Sequence, residues 1–364
     1  MKKLKASLLI IFYLAVIDVS VNFAFHYPTD PKNTNPSFLQ RYFEYGRSVE
    51  GKLKLMTRHS IEESAPKVSG GWISSDKGAS LPSKTIDKQQ VLIALYGMSH
   101  TKCLWEAIQK HDKTFLIRGF MAPGAAPNWS YGAYEFDRGK HNADVVILGI
   151  MTEGVSQVTS TTGMTTYFDS AYPYTFPRYS VKGGKLISSY PPFISAEDYI
   201  DYFFDKSKWS HYRDWLSSHD KFYDPLLFRK SMLDNSVTIR LLRRAYSESK
   251  KEKISLRITN NYRFNEKSEE VKIVRSIIKN FAESVRADGS LPIIYIVNLQ
   301  GQGDKLYRML KPVLELNNIP YLSTHKICPP DDPRVFLSEN SHFIPSKDME
   351  LAGEIIHIIK TNTE

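Results

Sequence analysis

Five short apolar runs spread along 364 residues constrain this chain more than any other feature. VLIALYG (91–97), TFLIRGF (114–120) and ADVVILGI (143–150) come early; LPIIYIV (291–297) and IPYLST (319–324) come late. Their apolar residues are nearly continuous instead of alternating, which is how strands buried on both faces of a parallel sheet read. Between and after them stand segments with apolar residues at helical spacing: SHTKCLWEAIQKH (99–111), NWSYGAYEF (128–136), DKLYRMLKPVLELN (304–317) and MELAGEIIHIIK (349–360). Strand alternating with helix predicts an α/β domain of three layers, α/β/α, with a mainly parallel, flavodoxin-like sheet.

The alternation stops between about 151 and 265. That stretch is rich in Tyr, Phe, Pro and Ser, as in YFDSAYPYTFPRY (167–179). VKGGKLISS (181–189) predicts a hairpin about Gly183-Gly184. Residues 197–250 are expected to be helical, including VTIRLLRRAYSESKKEK (237–253). The whole is read as a mixed insertion near the ligand-facing edge of an α/β domain spanning 90–364. Its aromatic residues are expected to pack core and hairpin, with a carbohydrate platform as the alternative. Upstream, 26–89 is a linker and N-terminal extension. HYPTDPKNTN (26–35) is polar, and 36–58 has helical spacing interrupted at Gly46 and Gly51.

The N-terminus opens Met-Lys-Lys-Leu-Lys and continues ASLLIIFYLAVIDVSVNFAF (6–25), about the length that crosses a bilayer as a helix. Lys2, Lys3 and Lys5 would hold that end in the cytoplasm. Asp18 and Asn22 lie toward the far end, where a polar side chain reaches the interface. Residues 1–25 are therefore a signal anchor or transmembrane helix. A cleaved leader is the rival, although no Ala-x-Ala site follows the run. In both cases the main domain is exported, to the periplasm where a cell has two membranes, and it is secreted if the leader is cut. Export permits a disulfide between Cys103 and Cys328 without requiring one.

The balance of 48 basic to 39 acidic side chains, net +9, suits either an anionic partner or a solvated basic surface. Zinc spacing of Cys and His, a P-loop and a Gly-rich dinucleotide fingerprint are all missing. No metal, no cofactor and no nucleic-acid partner are expected.

In open α/β sheets ligands gather at the carboxyl ends of strands. Ser99, Gly124 and Glu153 each follow one of the first three strands, so all three can face one crevice. Near the C-terminus, FLSENSHFIPSKDMELAGEIIHIIK (336–360) sets Glu339 three residues before His342. A carboxylate that holds a His that deprotonates a Ser is the logic of acyl-transfer catalysis. Each residue has a plainer role as well. Ser99 can cap a helix, Glu339 can complement a helix dipole, Gly124 can serve a Pro-Gly turn, and His100 falls in a first helical turn, within reach of substrate.

The order of these elements resembles the SGNH, or GDSL-like, hydrolase superfamily. That family has a Gly-x-Ser block after its first strand, a Gly block after the second, a Gly-Asn-Asp-like block after the third and an Asp-x-x-His block before its last helix. Gly97-Met98-Ser99, Gly124 and Glu339-Asn340-Ser341-His342 match three of these, over residues 90–150 and 290–360. The resemblance implies Ser99 as nucleophile, His342 as base, Glu339 as its orienting acid, and the backbone N–H groups of Ser99 and Gly124 as oxyanion donors. Met98 stands in place of the family's Asp, and Glu339 in place of the other Asp. Glu153 falls where the oxyanion-binding Asn is expected, and losing one such donor costs about 2.7–4 kcal/mol. The backbone N–H groups of Ser99 and Gly124 alone, Asn128 moving in, or a buried and neutral Glu153 would let the site work; loss of catalysis is the fourth option.

With a single anchor and a mid-chain insertion, the chain is similar to cell-envelope members that accompany exopolysaccharide synthesis. The implied function is a serine esterase or O-acetyltransferase on an acyl ester of a polysaccharide, working beside envelope polysaccharide-synthesis proteins. A non-catalytic carbohydrate-binding or assembly protein on the same scaffold is the alternative, and a lipid or thioester hydrolase is a third reading.

Overall fold

In the computed structural model, residues 2–30, 35–74, 81–85, 89–260, 262–338 and 341–363 are described. Along the chain run α1 (Lys2–Ala24), α2 (Phe38–Glu44), α3 (Val49–Met56), β1 (Val91–Gly97), α4 (Ser99–His111), β2 (Phe115–Met121), α5 (Pro127–Asp137), β3 (Val145–Met151), α6 (Gly154–Gln157) and α7 (Gly163–Thr166). There follow β4 (Arg178–Lys182), β5 (Lys185–Ser189), α8 (Ala196–Phe204), α9 (Lys206–His219), α10 (Pro225–Phe228), α11 (Val237–Ile258), α12 (Glu269–Ala287), β6 (Leu291–Val297), α13 (Lys305–Leu316), β7 (Tyr321–Ser323) and α14 (Pro345–Thr363). These elements group into two units. One comprises Met1–Gly70, Thr162–Thr175 and Pro192–Lys253; the other comprises Gly71–Thr161, Phe176–Pro191 and Ile254–Glu364.

The second unit holds the sheet, in the order β2-β1-β3-β6-β7, with every pairing parallel. Leu92 to Tyr96, Val145 to Ile150 and Ile293 to Val297 are at most 2% exposed, as fully covered parallel strands require. The chain leaves β1 toward β2 and then crosses back beyond β1 to β3. Right-handed crossovers in opposite directions place α4 on one face and α5 on the other. α14 packs on α4, while α12 packs on both α5 and α13, which completes the α/β/α sandwich. The reversal of direction makes the carboxyl ends of β1 and β3 a topological switch point, the place where open α/β sheets gather ligands.

A buried polar network braces this unit. Arg118 on β2 makes a two-point ion pair with Asp137 at the end of α5, at 2.5 and 2.6 Å, and the Tyr96 hydroxyl donates to the same carboxylate at 2.8 Å. The hairpin expected about Gly183-Gly184 is present as β4–β5, and both glycines take the left-handed backbone that a two-residue turn demands. The aromatic residues of 167–179 pack as expected, with Phe168, Tyr174, Phe176 and Tyr179 all buried.

The first unit is helical, with a core rich in aromatic rings such as Phe193, Tyr199, Trp209 and Tyr212. The helical break expected at Gly51 does not occur. Gly51 lies inside α3, where a Cβ would stand 2.5 Å from an Asp234 carboxylate oxygen, so the glycine serves a close approach. Within α1, Ser7–Ala24 is long and apolar enough to cross a membrane, a test that a leader sequence also passes, and its residues are not buried. Asp18 and Asn22 have definite partners. The Asp18 carboxylate accepts from the Thr238 N–H and hydroxyl, each at 2.8 Å, at the start of α11. Asn22 donates to the Asn235 carbonyl at 2.9 Å and accepts from Arg240. Cys103 and Cys328 are both free thiols, the second buried and pushed up to about 12 by that burial.

Candidate active site

β1 ends at Gly97, and α4 begins at Ser99 with Met98 as its N-cap residue. A methionine has no oxygen to cap with, so α4 starts without a side-chain cap. The Met98 carbonyl accepts from the N–H groups of Thr101 and Lys102, at 2.9 and 3.2 Å. Among the described residues, the Ser99 hydroxyl and the Ser99 and His100 N–H groups make no hydrogen bond. Ser99 is half-buried. Its role as a cap is thereby removed, and its hydroxyl is left beside unused donors at the positive end of a thirteen-residue helix.

The glycine before it answers to packing. A Cβ on Gly97 would lie 2.2 Å from the Thr101 hydroxyl and 3.3 Å from the Gly149 Cα. A Cβ on Gly149 would meet the same hydroxyl at 2.2 Å. Thr101 thus wedges its side chain between β1 and β3, and both strands need glycine there. Met98, where the resemblance expects Asp, is fully buried, and its sulfur accepts from Thr101 at 3.4 Å.

Loops after the first three strands converge. The Ala122 N–H, just past β2, donates to the Gly97 carbonyl at 3.2 Å. The turn that follows closes from Ala125 N–H to the Ala122 carbonyl, and Gly124 within it has φ +58°. Gly154, next to Glu153, has its Cβ position 3.1 Å from Pro127 and 3.5 Å from Ala126. Glu153 itself is exposed, so the buried setting considered for it is not found. Asn128 is fully buried, and its amide already donates to the Ser160 carbonyl at 2.8 Å and the Pro177 carbonyl at 3.0 Å. Both of its donors are spent, so it has none to offer an oxyanion.

The segment before α14 reaches the same edge. His342 is half-buried on a strap held by Leu337 N–H to the His342 carbonyl at 2.8 Å and by a Phe336–Phe343 bridge. Its ring stacks on His100 with centroids 4.6 Å apart, and Phe343 meets His100 edge-on at 5.3 Å. His342 therefore packs against the residue that follows Ser99. Burial first, and the neighbouring His342 ring second, push the His100 imidazole down to about 4, against a smaller opposing pull from the Ser341 backbone. Among the described residues, neither His100 nitrogen completes a hydrogen bond of full geometry. His100 is accordingly a neutral ring at pH 7 that supports His342 from below. Glu339 lies outside the described residues.

A second polar group at the carboxyl edge escaped the sequence reading. After β6, the Asn298 amide donates to Ser323 Oγ at 3.0 Å, and Ser323 Oγ pairs with His325 Nδ1 at 2.8 Å just after β7. His325 stacks on Tyr307 at 4.6 Å, and burial lowers its imidazole against the attraction of Asp304. Applying the carboxyl-end rule to the last two strands, as to the first three, would have found these residues.

Fold and edge together define an α/β protein with a five-stranded parallel sheet, a serine after its first strand and a histidine strap beside it. No protein-family model matches the chain, and no curated protein matches it. Among solved structures, a proposed acylhydrolase from Bacteroides fragilis is similar at 10% identity and a TM-score of 0.39, covering 79% of this chain and 94% of that one.

Proposed function

We propose that the protein is an exported, SGNH-like serine esterase or O-acetyltransferase acting on an acyl ester of a cell-envelope or extracellular polysaccharide. The observation that carries this is the uncapped start of α4. Ser99 has a hydroxyl without a partner among the described residues, and the next residue packs on the ring of His342. In the reaction, Ser99 Oγ attacks the acyl carbonyl carbon while His342 takes the hydroxyl proton, with Glu339 orienting the ring. The oxyanion rests on the N–H groups of Ser99 and Gly124. The bond from acyl carbon to sugar oxygen then breaks, and His342 returns the proton to that oxygen. Water, or a second sugar hydroxyl, attacks the acyl-Ser99 with His342 again removing a proton. Water gives an esterase, and a sugar gives an acetyltransferase.

Export and anchoring are supported by α1, whose polar residues Asp18 and Asn22 bond to the region where α11 begins. The polysaccharide substrate rests on the resemblance to anchored envelope proteins. Purified protein is expected to cleave p-nitrophenyl acetate, with Ser99→Ala reducing the rate to background. An unchanged rate in that variant would end the proposal.

A second reading is favoured by Glu153 and Asn128. An exposed carboxylate after β3, with the nearby amide already committed, suits a carbohydrate-binding or assembly protein that does no chemistry. Polysaccharide binding retained without any p-nitrophenyl acetate cleavage would select it.

A further inference from the structure

The helical unit contains a cleft of about 180 Å³ that the proposed chemistry does not use. Tyr27, Arg41, Tyr45, Lys52 and Lys67 contribute to its wall, together with the acids Glu44 and Asp169. Both acids are already held. Glu44 pairs with Arg47 and Arg240, and Asp169 takes three contacts from the Arg244 guanidinium at 2.8–3.3 Å. Among the described residues, Arg41, Lys52 and Lys67 make no ion pair, and Arg41 and Lys67 lie within electrostatic reach of each other.

Lys52 is the informative member. It is 6% exposed, its Nζ donates to the Phe168 carbonyl, and it sits 3.6 Å from the Phe168 ring centroid. An ammonium has three donors, so among the described residues two remain without an acceptor. Burial pushes Lys52 down to about 7, against the weaker attraction of Asp169 and Glu44 in the same wall. A buried ammonium, in a wall that holds two further cations without an ion pair, favours the arrival of an anion. At about 180 Å³ the cleft far exceeds the roughly 10–15 Å³ that one water needs on this measure, room for a phosphate and a short ester arm. Its location narrows the source. Tyr27 is three residues beyond Ala24, where the apolar helix α1 ends. A helix that crosses the bilayer there leaves this wall at headgroup depth.

We propose that this cleft binds the phosphate of a phosphate ester, supplied by an anionic phospholipid at the membrane surface where α1 emerges. Arg41 and Lys67 grip the phosphate from the open side and Lys52 from within. The full-length protein in a neutral detergent tests this by thermal unfolding with dihexanoyl-phosphatidylglycerol, dihexanoyl-phosphatidylcholine or inorganic phosphate. Phosphatidylglycerol is expected to raise Tm in a saturable way, and phosphatidylcholine to leave it unmoved. In the double variant Arg41→Gln/Lys67→Gln, both at exposed positions, the apparent Kd for phosphatidylglycerol should rise at least about tenfold. The charge-matched variant Lys251→Gln/Lys253→Gln on α11 should keep the parent Kd. Equal shifts with the two lipids, or equal losses in the two variants, would overturn the site. Saturable stabilisation by inorganic phosphate as strong as by phosphatidylglycerol would keep the phosphate site and overturn its lipid source.

Discussion

His100 allows the arrangement beside Ser99 to be tested through stability alone. The folded chain takes up a proton on His100 only near pH 4, and the unfolded chain does so near the ordinary 6.5. Between those values the unfolded state binds more protons, so stability falls as pH falls. At about 1.36 kcal/mol per pH unit, the loss across the window approaches about 3 kcal/mol. Above pH 6.5 the term is absent, and below pH 4 it is complete. Asp348 works the other way, since burial raises its carboxyl to about 6, so the raw pH profile of the parent is a sum of opposed slopes. The informative quantity is a difference. Urea unfolding of the parent and of His100→Phe, which keeps an aromatic ring against His342 and Phe343, is followed from pH 4 to 7.5. The gap between the two stabilities should change by about 3 kcal/mol in favour of the variant as pH falls from 6.5 to 4. Parallel curves would mean that His100 protonates freely in the folded state, and that the packed ring pair before α14 is not formed in solution.

Other outcomes follow from the same geometry. His342→Ala should lower kcat for p-nitrophenyl acetate by about 10²–10⁴-fold, the usual worth of a positioned general base, with little change in Tm. Glu153→Asn restores an amide donor to the third strand's loop and should raise kcat by as much as about 10²-fold, read in the same assay. Gly97→Ala drives a Cβ to 2.2 Å from the Thr101 hydroxyl and should cost about 1–3 kcal/mol in urea unfolding, less in a Thr101→Ala background. Asp137→Ala strands the Arg118 guanidinium, whose side chain is 3% exposed, and should cost about 3–5 kcal/mol by the same measurement.

Much of the sheet was legible because parallel strands covered on both faces must be apolar throughout. Val91–Gly97 and Leu291–Val297 match the runs read from sequence residue for residue, as does the helix Ser99–His111. α12 was not read, although Ser268 caps it and its apolar residues Val271, Val274, Ile278, Phe281 and Val285 keep helical spacing. IPYLST shortens to Tyr321–Ser323, since an edge strand loses a partner on one side. The site was less legible for a physical reason: the deciding facts are contacts between residues far apart in sequence. Nothing near Asn128 announces that its donors are taken by residues 160 and 177, and nothing near Asp18 announces Thr238. Gly-x-Ser looks like a catalytic signature, yet its glycine answers to the packing of the Thr101 hydroxyl.

The central claim is that Ser99 is an activated nucleophile, and covalent labelling reaches it most directly. Full-length protein treated with a fluorophosphonate, digested and mapped by mass spectrometry should carry the adduct on the peptide containing Ser99, with labelling lost in His342→Ala. Failure to label Ser99 in folded protein, or equal labelling in folded parent and His342→Ala, would contradict it.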